Sequence, residues 1–153
     1  MIKTGVTVFS YLSIALSVII GGCSGVRPAN LGVKDGRLAP CPASPNCVSS
    51  QSEDKEHAVA PLSYTTSVPQ AMADLKKAIL GIKRARIVDE HDSYIHAEFT
   101  SAFWRFVDDV EFYFDDTEKL IHMRSASRLG KSDFGVNRKR VEKIRAAWTS
   151  LGK

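Results

Sequence analysis

Titratable and hydrogen-bonding side chains recur at alternate positions of three segments, and this pattern is the best suited to chemistry in the sequence. The set comprises His96, Glu98, Asp109, Glu111, Tyr113, His122 and Arg124. Alternate residues of a strand share one face of a sheet, so these side chains would gather on one surface. That surface could bind a ligand or an ion, or it could be a solvated lattice of cross-strand ion pairs. No His-Glu-x-x-His motif is present, so we assign no metal site and expect no cofactor.

A second candidate site is the basic stretch from Arg124 to Arg140, which leaves a strand, turns through two glycines and enters a helix. Cations in the first turn of a helix oppose its dipole, so acidic neighbours or an external anion must compensate. A phosphate or carboxylate bound at the helix start would do so, and solvated charge is the alternative. From both candidate sites, the expected ligand-binding residues are Asp109, Glu111, His122, Arg124, Arg128, Lys131, Asn137 and Arg138.

Residues 1–22 have the composition of an export signal. Lys3 gives a weakly basic start, Val6 to Ile20 is an almost uncharged apolar run, and small residues follow. Ile20-Gly21-Gly22-Cys23 resembles the bacterial lipobox, which implies cleavage before Cys23 and lipidation of its thiol and amine. Several acyl chains give stable attachment where one is marginal. An uncleaved anchor helix is the alternative interpretation.

The expected location follows from this signal. We expect a lipid-anchored protein of the bacterial cell envelope that faces the periplasm, and by analogy with Gram-negative lipoproteins Ser24 predicts the outer membrane. The formal net charge of +4 is a mild excess that suits anionic headgroups but not nucleic acid. The expected partners are the membrane, through the lipid at Cys23, and an envelope protein or a small anionic ligand.

Cys41 and Cys47 would be the two thiols left once Cys23 carries lipid, and they lie in a proline-bounded turn. An oxidising compartment favours a disulfide between them. The closed loop is short, so entropy would contribute only about 2 kcal/mol. Five intervening residues do not fit the usual zinc spacing, and no partner base marks a catalytic thiol.

The elements that must position these residues include a β-hairpin over residues 106–128, in which apolar and acidic side chains alternate. The expected register places Phe114 opposite Lys119 and Asp109 opposite Arg124. Further strands are expected at 58–64, 84–89 and 94–99. Trp104, in the connection that leads into the hairpin, is expected in the core, and an anchor at an exposed rim is the alternative.

Two helices complete the expected fold. The first begins after Ser67 and the last spans about residues 137–151; their buried stripes are Met72, Leu75, Ile79 and Ile82, and Val141, Ile144, Trp148 and Leu151. This element order predicts an α+β fold of two layers, a mainly antiparallel sheet with helices packed on one face. Residues 23–37 are rich in Gly and turn formers and are expected to be a flexible tether before a single domain at 38–153.

Several separated motifs resemble the domain-of-unknown-function family DUF1499. They are Cys41-Pro42-x-x-Pro45-Asn46-Cys47-Val48-Ser49-Ser50-Gln51, Phe106-Val107-Asp108-Asp109-Val110-Glu111-Phe112, Arg124-Ser125-Ala126-Ser127-Arg128 and Gly135-Val136-Asn137-Arg138. The resemblance covers residue 38 to the C-terminus, and the motifs occur in the family's order. It implies a compact exported or membrane-associated domain and carries no catalytic roles.

Two functional hypotheses follow. The first is a non-enzymatic envelope lipoprotein whose domain binds a partner or an anionic ligand. The alternative is a periplasmic hydrolase or metalloenzyme that uses the acidic and histidine-bearing face of the sheet. The sequence contains no Ser-His-Asp spacing, nucleophile elbow or nucleotide loop, which favours the first hypothesis.

Overall fold

The computed structural model describes residues 24–152. Its strands are β1 (Val33–Lys34), β2 (Arg37–Leu38), β3 (Cys47–Ser49), β4 (Leu62–Ser63), β5 (Ala85–His91), β6 (Tyr94–Thr100), β7 (Val107–Asp115) and β8 (Leu120–Ser127). Its helices are α1 (Val68–Leu80) and α2 (Val136–Ser150).

The main sheet has six strands, all paired antiparallel. Its order is β3-β8-β7-β6-β5, and β4 also pairs with β8, while β1 and β2 form a separate hairpin. Both helices pack on one face of the sheet, where Phe112, Phe114 and Ile121 are almost completely buried. The predicted α+β class and the placement of the helices on one face are confirmed.

The helices follow from their apolar spacing. The predicted stripe residues of α1 are buried, and so are Ile82, which follows the end of α1, and Val141, Ile144 and Trp148 of α2. Leu151, predicted to belong to the second stripe, comes after the last turn and is 41% exposed. Apolar residues three and four apart thus pack both helices on the sheet.

The predicted hairpin is present, but its register differs by two residues. Phe114 lies opposite Ile121, and Glu111 rather than Asp109 lies opposite Arg124. The turn is displaced because Asp115 Oδ1 accepts hydrogen bonds from the amides of the two turn residues Thr117 and Glu118. A shift of two preserves the side-chain alternation, so each residue keeps its predicted face.

Residues 24–38, most of which were expected to be a flexible tether, lie against the polar face of the sheet. The β1–β2 hairpin belongs to this segment, and the amide of Gly32 donates to Glu111 across the sheet at 2.8 Å. The side chain of Arg27 contacts His96 at 2.9 Å. Buried acceptors on the sheet therefore fix a segment whose composition alone predicted mobility.

Two further expectations concern Trp104 and the N-terminal segment. Trp104 was predicted in the core and is 73% exposed, because the connection from β6 to β7 projects beyond the sheet. Among residues 24–152, no helix is both long enough and apolar enough to cross a bilayer. The predicted export signal and the lipidation site Cys23 lie outside the described residues.

Candidate functional site

Asp109 is at the centre of a network of ion pairs on the polar face. Its Oδ1 accepts from His96 Nε2 at 2.8 Å and from Arg128 at 2.7 Å, and its Oδ2 accepts from Arg128 Nε at 2.8 Å. Arg128 also donates to Glu98, which accepts a further bond from Arg86. Both oxygens of Asp109, whose side chain is 1% exposed, are therefore bonded to groups of the chain itself.

Glu111 organises a second, adjoining network. Its Oε1 accepts from the Gly32 amide at 2.8 Å and from the Tyr94 hydroxyl at 2.9 Å, and its Oε2 accepts from Arg124 at 3.0 Å. Burial and the neighbouring Glu111 carboxylate raise the pKa of Tyr94, so its hydroxyl stays a donor. Arg124 Nε is buried and has no hydrogen-bond partner among the described residues, so a small polar molecule could satisfy this donor.

The carboxylates of the Asp109 network are held ionised. Burial alone would raise the pKa of Asp109, but hydrogen bonds from Arg128 and His96 outweigh it and lower that pKa. The same balance, with bonds from Arg86 and Arg128, lowers the pKa of Glu98. A general acid or base needs a pKa near the working pH, so these shifts are opposite to those that acid–base catalysis requires.

The tautomer of His96 follows from its two partners. Arg27 can only donate, so His96 Nδ1, 2.9 Å away, must accept. Nε2 then carries the proton and donates to Asp109. His96 is a neutral link between the covering segment and the ion pairs, and both of its ring nitrogens are in use.

His122 lies at the rim of the same face. Its ring stacks on Tyr113, and its Nδ1 is 3.3 Å from Ser50 Oγ. Burial lowers its pKa, so the imidazole is neutral near pH 7. One nitrogen of His122 and one carboxylate oxygen each of Asp115 and Glu118 lie within 4.8 Å of one another. This is the group of residues in the described chain with the ligand types and spacing for a divalent metal ion.

The cations expected to bind an anion near α2 do not converge. Arg124 and Arg128 are engaged on the polar face, Lys131 is exposed in the loop after β8, and Arg138 donates to the carbonyls of Ala58 and Glu56 at 2.7 Å. An internal anion occupies the helix start instead. The carboxylate of Asp133 accepts from the amides of Gly135 and Asn137, both at 2.8 Å. This carboxylate supplies the compensation that the helix dipole requires.

Asn137, another expected ligand-binding residue, is completely buried and joins three elements. Its Oδ1 accepts from Ser125 Oγ and from Arg140, both at 2.6 Å. Its Nδ2 donates to the carbonyl of Asn46 at 2.9 Å and to Ser127 Oγ at 3.0 Å. Asn137 therefore ties α2 to β8 and to the cysteine loop, and its amide is fully used.

An open groove of about 960 Å³ lies beside the covered face. Its walls are residues 30–35, 37–43, 49, 51–52, 54 and 57, so it separates the β1–β2 hairpin and the cysteine loop from the loop after β3. The predicted disulfide between Cys41 and Cys47 is confirmed and fixes one wall. Lys34 and Arg37 contribute positive charge to the lining, and Asp35 contributes negative charge.

The groove also contains an Asp54–His57 pair that the sequence analysis missed. His57 Nδ1 is 2.6 Å from Asp54 Oδ2, and Nε2 is 3.2 Å from the carbonyl of Ser44. Both partners accept, so the doubly protonated ring satisfies both. The bond to Asp54 raises the pKa of His57 against the opposing effect of burial. An Asp and a His three residues apart in a turn-forming stretch was the available signal, whereas nothing in the sequence marked Arg27 or Gly32.

Comparison with known proteins gives a family but no activity. Residues 37–148 match the family described as "Protein of unknown function (DUF1499)". No curated protein matches the chain. The match spans the main sheet and almost all of α2, whereas groove residues 30–35 precede it. This chain is therefore a member of the DUF1499 family.

Proposed function

We propose that the chain is an exported lipoprotein of the bacterial cell envelope, lipidated at Cys23, whose domain is a non-enzymatic binding module facing the periplasm. The observation that carries the non-enzymatic part is the closure of the polar face. Asp109 and Glu111 accept hydrogen bonds with both oxygens and lie beneath residues 24–38. An enzyme needs a base or nucleophile that can reach its substrate, and these groups are occupied and covered.

Export is supported by two features. The first is the run from Val6 to Ile20 followed by Ile20-Gly21-Gly22-Cys23. The second is the Cys41–Cys47 disulfide, since such bonds persist in oxidising compartments. Ser24 follows Cys23, and by analogy with Gram-negative lipoproteins we assign the anchored protein to the outer membrane.

The anchor is tested by labelling cells with a radioactive or alkyne-bearing palmitate analogue. We expect label in the wild-type chain and none in Cys23→Ser, which retains the rest of the signal. Cys41→Ser is the matched control because it also removes one cysteine and should keep the label. Equal labelling of wild type and Cys23→Ser would contradict the assignment.

The groove is our proposed binding site, and small anions are the ligand class its charge favours. The positive charge of His57 balances the negative charge of Asp54. The other charged residues of the lining are Lys34, Arg37 and Asp35, whose charges sum to a net positive value. A net positive concave surface raises the local concentration of anions. A short acidic segment of an envelope protein carries the same negative charge and is the alternative occupant of the groove.

Titration calorimetry and thermal melts with inorganic phosphate and with sulfate test the groove. We expect saturable binding that Lys34→Gln combined with Arg37→Gln removes. Lys139→Gln combined with Lys143→Gln carries the same loss of charge on the exposed side of α2 and should leave binding unchanged. Identical titrations for both double variants would reject the groove as the anion site.

A second candidate function, metal binding, is favoured by the Asp115, Glu118 and His122 group. Ser50 Oγ can accept from His122 Nδ1, which would leave Nε2 for a metal ion. Zinc titration of wild type and Glu118→Gln decides it, with Glu53→Gln as the control for an exposed carboxylate. A zinc-dependent rise in the melting temperature that only Glu118→Gln loses would support the site, and an equal response of all three would exclude it.

A further inference from the structure

Exposed apolar side chains are concentrated at one end of the main sheet. Large apolar residues with 41–92% exposure occur in the β6–β7 loop, the β8–α2 loop and the segment before β1: Phe103, Trp104, Phe106, Leu129, Phe134 and Val26. We call this set the apolar loop surface. Water-exposed aromatic rings are costly, and a group of them marks a surface that meets an apolar partner.

Strand directions place these loops together at that end. The β6–β7 loop connects Thr100 to Val107, which lie opposite each other in the register. The β8–α2 loop leaves the same end, because Ser127 lies opposite Asp108 and the Arg128 amide donates to the Val107 carbonyl. The N-terminal segment arrives there too. A Cβ added at Gly25 would lie 2.9 Å from Arg128 Cβ and 3.1 Å from Leu129 Cγ.

The proposed lipidation site, Cys23, is two residues before Gly25, which lies at this end of the sheet. Consecutive Cα atoms are about 3.8 Å apart, so the Cα atoms of these two residues are separated by no more than about 7.6 Å. The Arg27–His96 and Gly32–Glu111 contacts fix the following residues on the sheet. A domain held this tightly has little freedom to leave the bilayer.

The exposed charges at this end complement an anionic surface. Lys83, Arg84, Arg105 and Lys131 are exposed in the loops there. The only acid between residues 128 and 135 is Asp133, which is half-buried and bonded to backbone amides. The turns at the opposite end have a net negative charge instead, since Asp92, Asp116 and Glu118 are exposed and Lys119, which pairs with Asp116, is the cation among them. The domain therefore has an electrostatic polarity along the strands.

We propose that the apolar loop surface is a second membrane contact, in which Phe103, Trp104 and Phe134 enter the interface of the bilayer that holds the lipid anchor. The proposal rests on the anchoring at Cys23 proposed above. Apolar side chains spread over three neighbouring segments at one end of the sheet suit a flat partner, and Trp with neighbouring Arg and Lys suits the headgroup region. In this orientation the acidic turns, at the opposite end of the strands, would point away from that bilayer. The groove would open to the side, towards the periplasm.

Tryptophan fluorescence of the lipidated full chain in vesicles tests this contact. The chain has Trp104, which is exposed, and Trp148, which is 2% exposed and serves as an internal reference. In phosphatidylethanolamine vesicles with phosphatidylglycerol and brominated acyl chains, we expect blue-shifted, bromine-quenched emission from wild type. Trp104→Phe should lose that quenching, because it removes the exposed indole and leaves Trp148 in the core.

Vesicle flotation separates the two proposals. Protein that floats with the vesicles but shows no more bromine quenching than Trp104→Phe would overturn the loop contact and leave the anchor intact. Protein that does not float would overturn both. Arg105→Gln combined with Lys131→Gln should reduce Trp104 quenching at least twofold, whereas Lys55→Gln combined with Lys143→Gln should not. Equal quenching in these two variants would overturn the contribution of the loop cations.

Discussion

One face of the main sheet packs Phe112, Phe114 and Ile121 against two helices, whereas the opposite face packs Asp109, Glu111 and Arg124 beneath residues 24–38. Both faces are buried, but by different physical means. Apolar contact is non-directional and tolerates exchange of similar volumes. Buried ion pairs require every partner in place, since one unpaired charge costs several kcal/mol. The ionic face is therefore a second core with stricter geometry.

The largest contrast between the two faces should come from substitutions that preserve shape. Glu111→Gln leaves Arg124 as a buried, uncompensated cation and should lower the free energy of unfolding by about 3–5 kcal/mol. Met123→Leu, its counterpart on the apolar face, should cost less than about 1.5 kcal/mol. Urea unfolding of both variants measures the two values. Equal losses would mean that the ionic face is open to solvent, where such a pair contributes about 0–1 kcal/mol.

The side of the sheet that the helices cover also contains one polar cluster, the hydrogen bonds around Asn137. Its cost of disruption can be compared with that of the ionic face. Asn137→Ala leaves the Asn46 carbonyl, Ser125 and Arg140 without their amide partner. We expect a loss of about 2–3 kcal/mol in chemical denaturation, because several buried groups lose a hydrogen bond. Asn30→Ala, an exposed asparagine at the groove, should change stability by less than about 0.5 kcal/mol.

The disulfide has a smaller expected effect. It joins residues with a sequence separation of 6, so opening it with Cys41→Ser and Cys47→Ser should cost about 2 kcal/mol by loop entropy. Thermal unfolding of this double variant gives the number. A loss above that of Glu111→Gln would show that the cysteine loop, not the ionic face, limits stability.

The smallest effect concerns pH. The pKa of His57 is raised in the folded state by its bond to Asp54. A raised pKa contributes stability that is fully present below the unfolded value of about 6.5 and is lost as the pH rises through the folded value. The free energy of unfolding should therefore fall across that interval in wild type and fall less in His57→Gln. A steeper fall in the variant would contradict the assigned protonation state.

The residues best predicted from the sequence are those whose neighbours lie close in the chain. Alternation assigned Asp109 and Glu111 to one face and Phe112 to the other, and the two-residue register error left this assignment intact. The pairing itself failed because Asp115 caps the turn through a side-chain bond that alternation does not encode. The prediction that Trp104 is buried was wrong because it was based on residue type. Trp104 lies in a projecting loop, and that position leaves its side chain exposed.

The covering of the ionic face by residues 24–38 could not be predicted from the sequence. Gly32 and Glu111 are separated by 79 positions and Arg27 and His96 by 69, and no local pattern connects them. The Gly-rich composition of residues 23–37 predicts mobility in isolation, yet the Gly32 amide and the Arg27 side chain in that segment donate to the ionic face. The motif residues Arg124, Arg128 and Asn137 likewise proved to be bonded within the chain.

Amide hydrogen exchange at Gly32 tests the closure of the ionic face most directly. Its N–H donates to Glu111 Oε1 at 2.8 Å beneath the covering segment. We expect its exchange to be slowed at least a hundredfold relative to an unstructured chain in wild type and to return towards the unstructured rate in Glu111→Ala. Exchange of Gly32 at the unstructured rate in wild type would mean that residues 24–38 do not cover the ionic face. Asp109 and Glu111 would then be accessible to a ligand or substrate, contrary to this account.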